Sequence, residues 1–161
     1  DQRRVARMYT LSLDPADVDL DATHAFLSRT YWSEGLRRDI HERAVRNSLV
    51  CSALHADARG RRSQIGFARA VTDRATFAWI ADVYVLPEHR GHGLARRMVR
   101  ALLGHPDLAH LRRAVLATRD AHGVYAPLGF NPLGESAALW MERRFPDDNW
   151  REPTQAPRPS A

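Results

Sequence analysis

The chain has 161 residues, 44% of them hydrophobic and 27% charged, which fits one globular domain and excludes a disordered chain. All 24 basic residues are arginine, so a lysine-based phosphate loop, a lysine Schiff base and a lysine nucleophile are excluded. The single cysteine, Cys51, rules out a disulfide within this chain, and no apolar run approaches the ~20 residues of a membrane-crossing helix. The net charge of +5 reads as a solvated arginine surface. No basic helix with interleaved aromatics points to nucleic acid, and arginine forks suit anionic small molecules.

In chain order the pattern is mixed α and β. Residues 8–13 read as a short strand closed by Asp14-Pro15. Residues 21–29 read as a helix with Ala25, Phe26 and Leu27 toward a core, broken at Tyr31-Trp32-Ser33. Residues 36–46 read as a second helix, because Leu36, Ile40 and Ala44 recur every four positions. Strands over 49–56 and 64–72 flank the polar stretch 57–62, the pattern of a hairpin. After a turn at Asp73-Arg74, a longer strand covers 76–86 and ends at Pro87. A helix over 94–103 follows, with Leu94, Met98, Ala101 and Leu102 on its apolar face and Gly104 and Pro106 as its stop. Residues 114–118 read as a buried strand, 123–128 as a short helix and 137–143 as a final strand. One domain is expected over 1–145. Residues 146–161 hold four of the nine prolines and read as a flexible tail, with Trp150 as its one anchor.

The stretch from Val83 to Arg96 carries the most information. A strand runs through Pro87-Glu88-His89-Arg90-Gly91-His92-Gly93 directly into a helix. Glycine lets main-chain N–H groups approach an anion, and a helix start offers unpaired donors at the positive end of its dipole. Such a turn suits a pyrophosphate. The third glycine of the dinucleotide fingerprint is missing.

Two motifs in this order resemble the GNAT superfamily of acetyl-CoA-dependent N-acetyltransferases. One is Arg90-x-x-Gly93-x-Ala95 after a strand; the other is Tyr125 four residues ahead of Gly129-Phe130. The resemblance spans roughly residues 8–145 and is sharpest over 76–130. It implies an α/β (α+β) fold, a mixed and mostly antiparallel sheet flanked by helices. A V-shaped cleft between two splayed central strands would hold acetyl-CoA. It further implies that the backbone of Val83, Tyr84 and Val85 pairs with the pantetheine arm. The pyrophosphate would lie on the turn of Arg90, Gly91, His92, Gly93, Leu94, Ala95 and Arg96. Thr118 stands where many members carry an asparagine that contacts the pantetheine.

The implied reaction is direct attack of an amine on the thioester in a ternary complex, with the acceptor expected to be a small molecule. Tyr125 is the candidate acid for the leaving thiolate. A phenol near pKa ~10 giving its proton to a thiolate near ~8.5 is uphill by about 2 kcal/mol, which a preorganised site absorbs. Packing of a short helix is the competing role for this tyrosine. Asp82, in the strand lining the slot, is the first candidate base, with a structural role at a bulge nearly as well supported. Polyamine acetyltransferases often carry Glu-Asp here; this chain has Ala81-Asp82. Asp120 and His122 are the next candidates. Tyr31, Trp32 and Trp79 are candidates for the acceptor wall, against plain core or surface roles. Cys51 reads as core, and His89 and His92 as non-metal residues. No metal, nucleic acid or membrane partner is expected. Many members dimerise, which makes a homodimer one candidate assembly, and the expected location is the cytoplasm. The rival reading is a catalytically silent sensor of the same fold that keeps acyl-CoA binding.

Overall fold

The computed structural model describes residues 8–145 and 149–153. Its sheet has five strands in sequence order: β1 (Tyr9–Ser12), β2 (Leu49–Ala56), β3 (Arg62–Thr72), β4 (Phe77–Val85) and β5 (Arg113–Val115). The first four pair antiparallel, and β5 lies parallel to β4. Helices α1 (Leu20–Leu27) and α2 (Arg38–Arg46) precede β2. Helix α3 (Leu94–Leu103) joins β4 to β5, and the four-residue α4 (His122–Tyr125) follows.

Alternation along β2 divides the core. Leu49, Cys51 and Ala53 pack on the α3 side with Met98, Val99 and Leu102. Val50 faces the other way, into a cluster with Leu27, Leu36, Phe67 and Tyr84. Each buried α3 side chain contributes about 2 kcal/mol of burial. Burial drives the Cys51 thiol up to about 12, as its core position requires.

Two β-bulges adjust this alternation. On β4 the register moves by one residue between the pairs Phe67–Tyr84 and Arg69–Ala81. Asp82 takes φ 55° there, in the left-handed region. The extra residue reverses the alternation. Ile80 faces α3, yet Tyr84 faces the α1 side, where its ring stacks on Phe26 at 3.9 Å. The other register change lies near Gly66, where a Cβ would stand 3.0 Å from the Tyr84 carbonyl oxygen.

Three expectations need correction. Residues 137–143 form no strand: Gly134–Leu139 is a 3₁₀ helix, and Leu139 and Met141 are solvent-exposed. No β-branched residue occurs between Glu135 and Phe145, so nothing in that stretch favours an extended chain. The strand expected over 114–118 shrinks to Arg113–Val115 and is only half-buried, because it leaves β4 after three pairs. It is also the sheet's last strand among the described residues, so the parting pair lies at one edge of the sheet, not at its centre. Of the proline-rich tail, residues 149–153 run beside Gly35–Arg37, with Leu36 and Arg151 forming an antiparallel bridge.

Candidate active site

The cleft begins where β4 and β5 part. Their last pair is Trp79–Val115. Beyond it the chain of β5 turns away through Leu116, Ala117 and Thr118, while β4 continues to Val85. No strand among the described residues pairs with this edge of β4 from Ala81 to Val85, which leaves backbone groups available to an incoming extended ligand. The resulting cavity measures about 1060 Å³ and reaches from the start of α3 to the loop between α1 and α2.

At one end lies the glycine turn. Gly91 has φ 84° and Gly93 φ 67°, and a Cβ at either would meet open space. The requirement for glycine is therefore conformational, since an L side chain at these φ values is strained. Gly93 caps α3, whose first hydrogen bond runs from the Arg97 N–H to the Gly93 carbonyl at 3.0 Å. The amides of Leu94, Ala95 and Arg96 lie ahead of that bond and have no acceptor within the helix. The Arg90 Nε–H donates to the Val85 carbonyl at 3.0 Å, tying the turn to the end of β4. Arg90, Gly91, Gly93, Leu94, Ala95 and Arg96 all line the cavity. His92 does not: its ring lies 5.2 Å from that of Tyr9, on the far side of the turn. His89 shares that aromatic cluster, where its Nδ1 is 2.9 Å from the Tyr9 hydroxyl.

Tyr125 enters from α4. Its ring is buried against Phe130 at 6.1 Å, edge to face. Gly129, at φ 91°, turns the chain back so that Phe130 reaches this position. The four-residue spacing read in the sequence is thus the length of one tight turn. Burial, and secondarily the nearby Tyr31, raise the Tyr125 pKa above the ordinary phenol value, so the proton stays on at neutral pH. The Thr118 hydroxyl accepts the Ala121 N–H at 3.0 Å, holding the loop ahead of α4.

The other half of the cavity is assembled from distant segments. Asp82 accepts from the Trp32 Nε1–H at 3.1 Å and from the Arg69 Nε–H at 2.5 Å. Arg69 also donates to the Ser48 hydroxyl at 3.2 Å. Both carboxylate oxygens of Asp82 are therefore engaged, and its charge is balanced by the partly buried arginine beside it. The Arg119 guanidinium lies 4.0 Å from the centre of the Tyr31 ring, joining the two sides of the cleft mouth. Trp79 and Asp120 line the same region, whereas His122 is exposed outside it.

Several lining residues went unread in the sequence. Phe26, Leu36 and Ile40 project from the helical region. His41 is buried, with Nε2 2.8 Å from the Thr23 hydroxyl. Burial holds this imidazole well below its ordinary range, at about 4, so it is neutral at physiological pH. The helical spacing of α2 placed His41 beside its apolar face, which was the available signal. Trp150, the last of the group, comes from beyond residue 145.

A parted β4–β5 edge, a glycine turn at a helix start and a buried phenol line one cleft. The sequence profile described as the Acetyltransferase (GNAT) family matches residues 11–130, and the chain belongs to that family. A GNAT-family protein of Xanthomonas campestris pv. campestris is 41% identical, with a TM-score of 0.75 over 86% of this chain and 94% of its own. An acetyltransferase-named protein of Gibberella zeae is 36% identical over 132 residues, 70% of this chain and 72% of its own length. The histone acetyltransferase TAP1 of Glycine max is 30% identical over 139 residues, 77% of this chain and 58% of its own length. At 18% identity, a Clostridium acetobutylicum structure determined with acetyl-CoA has a TM-score of 0.57, covering 84% of this chain and 94% of its own, and shares the fold.

Proposed function

We propose that the protein transfers an acetyl group from acetyl-CoA to the amine of a small molecule. The observation that carries this reading is the placement of the donor-rich turn and the Tyr125 phenol along one continuous cleft. The unpartnered start of α3, with Gly91 and Gly93 clear of side chains, fits a diphosphate. The open edge at Val83, Tyr84 and Val85 fits an extended amide arm. When bound, acetyl-CoA supplies an acyl carbon activated as a thioester.

In this reading the bulge at Asp82 turns a β4 amide toward the acyl oxygen, where a preorganised donor stabilises developing negative charge. Tyr125, kept protonated by burial, gives its proton to the departing sulfur. The engaged oxygens of Asp82 support a positioning role over that of a base. The amine proton then passes through water to Asp120, the exposed carboxylate of the cleft lining. Thr118 lends its hydroxyl to the loop that carries Leu116 to Ala121 past the cofactor arm.

Thiol release from acetyl-CoA over a panel of amines tests the assignment. Turnover with at least one amine, sharply reduced in Tyr125→Phe, is expected. Calorimetric binding of acetyl-CoA without thiol release for any amine would overturn it and leave a sensor of the same fold.

A further inference from the structure

Residues 149–153 are fastened to the body of the domain beside the acceptor half of the cleft. The Arg37 N–H donates to the Trp150 carbonyl at 2.9 Å, and the Glu152 N–H to the Gly35 carbonyl at 2.7 Å. The Arg37 guanidinium donates to the Asn149 carbonyl at 2.8 Å. These bonds add one short antiparallel rung to the loop between α1 and α2, with Leu36 opposite Arg151. The fastening fixes the direction of the Trp150 side chain. Its indole packs on the cluster of Leu27, Leu36 and Tyr84, is half-buried, and forms part of the cleft wall.

Aromatic side chains dominate the remaining walls of that half, with Asp120 as their exposed carboxylate. Phe26, Tyr31, Trp32 and Trp79 supply aromatic surface, and the charge of Asp82 is already balanced by Arg69. Such a surface offers a polycation the single exposed carboxylate of Asp120 and no free carboxylate at the β4 bulge. It does offer an apolar body a large contact area.

Resting on the acetyl-transfer reading of the same cleft, we infer that segment 149–153 is a strap that sets acceptor specificity. Trp150 is its substrate-contacting residue, and the acceptor is a primary amine carrying an apolar body. The strap acts as a fixed wall, and its main-chain bonds position the indole.

The test uses the full chain, with hexylamine as probe and ethylamine as a control of equal charge without the apolar body. Thiol release gives KM and kcat for each amine and for acetyl-CoA. Wild type should prefer hexylamine. Trp150→Ala should raise the KM for hexylamine about tenfold while that for ethylamine and for acetyl-CoA stays within about twofold. Trp150→Phe should recover most of the loss. Glu152→Pro removes one strap donor without touching the cleft, and it should reproduce the Trp150→Ala effect in a protein that melts normally. An unchanged hexylamine preference in Trp150→Ala and Glu152→Pro overturns the inference, as does a parallel rise in the KM for acetyl-CoA. Calorimetry separates the two readings. If wild type binds acetyl-CoA and the CoA-loaded protein takes up hexylamine without turnover, only acetyl transfer fails, and weakened hexylamine binding in Trp150→Ala still upholds the strap. If the CoA-loaded wild type takes up no hexylamine, the strap inference fails.

Discussion

The cradle half of the cleft is drawn from one continuous stretch, Val83 to Arg96, while the acceptor half joins Trp32, Arg69, Trp79 and Trp150 from separate parts of the chain. The first half works through backbone: amides at a helix start, two glycines at positive φ and an unpaired strand edge. The second works through side chains whose positions depend on packing between α1, α2 and the sheet. A site of the first kind is set by local conformation and tolerates changes elsewhere. A site of the second kind can change its ligand by single substitutions while the cradle stays intact.

Breaking the cradle should produce the largest effect. Gly93→Asp combines a strained left-handed residue with a negative charge at the proposed diphosphate position, and should weaken acetyl-CoA binding ~1000-fold by calorimetry. The fold should persist, since a Cβ at this position meets open space. Retained affinity would show that the anion binds elsewhere.

The acceptor half should reveal itself in acid. His41 titrates at about 4 when folded and near 6.5 when unfolded. Its lowered folded value costs nothing above pH 6.5. As pH falls from there toward 4, the unfolded chain takes up a proton that the folded one does not, and stability drops by about 3 kcal/mol. Chemical denaturation at several pH values should show this slope in wild type and its loss in His41→Gln. An equal slope in both would remove His41 from the account.

Tyr125 joins the halves. Tyr125→Phe should lower kcat ~100-fold with acetyl-CoA affinity nearly unchanged. Because its pKa is raised, the protonated form needed for donation persists, and the alkaline limb of kcat should begin above pH 10, the ordinary phenol range. A limb beginning below pH 9 would assign the proton to another group.

Gly66 sharpens the comparison from beneath the site. Gly66→Val brings side-chain atoms against the Tyr84 carbonyl and the Met98 side chain, and should cost about 2 kcal/mol in denaturant unfolding. The smallest effect belongs to Arg74→Ala. It breaks an exposed pair with Asp107, far from both halves, and should change stability by no more than about 0.5 kcal/mol.

Much of the fold was legible because its signals are local. The period-four face of α2, the turn at Asp73, where the carboxylate accepts the Thr76 and Phe77 amides, and the Gly93 start of α3 all act within a few residues. The short motifs around Gly93 and Tyr125 were readable for the same reason. The stretch 137–143 misled because apolar content alone does not make a strand; it needs a partner edge and β-propensity, and has neither. His41 was missed because a place beside the apolar face of α2 does not by itself separate a buried polar residue from a solvated one.

Glycine, proline and side-chain periodicity act on φ and ψ directly, so they dictate where the backbone bends and where helices begin before any packing occurs. They thereby specify the glycine turn at the start of α3 and the turn behind Tyr125. Packing of the folded chain places Asp82 between Arg69 and Trp32, seats His92 beside Tyr9 outside the cleft lining, and returns Trp150 to the cleft wall. Those outcomes depend on contacts between residues from 13 to more than a hundred positions apart. Burial and charge pairing set such contacts, and neither exists until the sheet and its helices have packed.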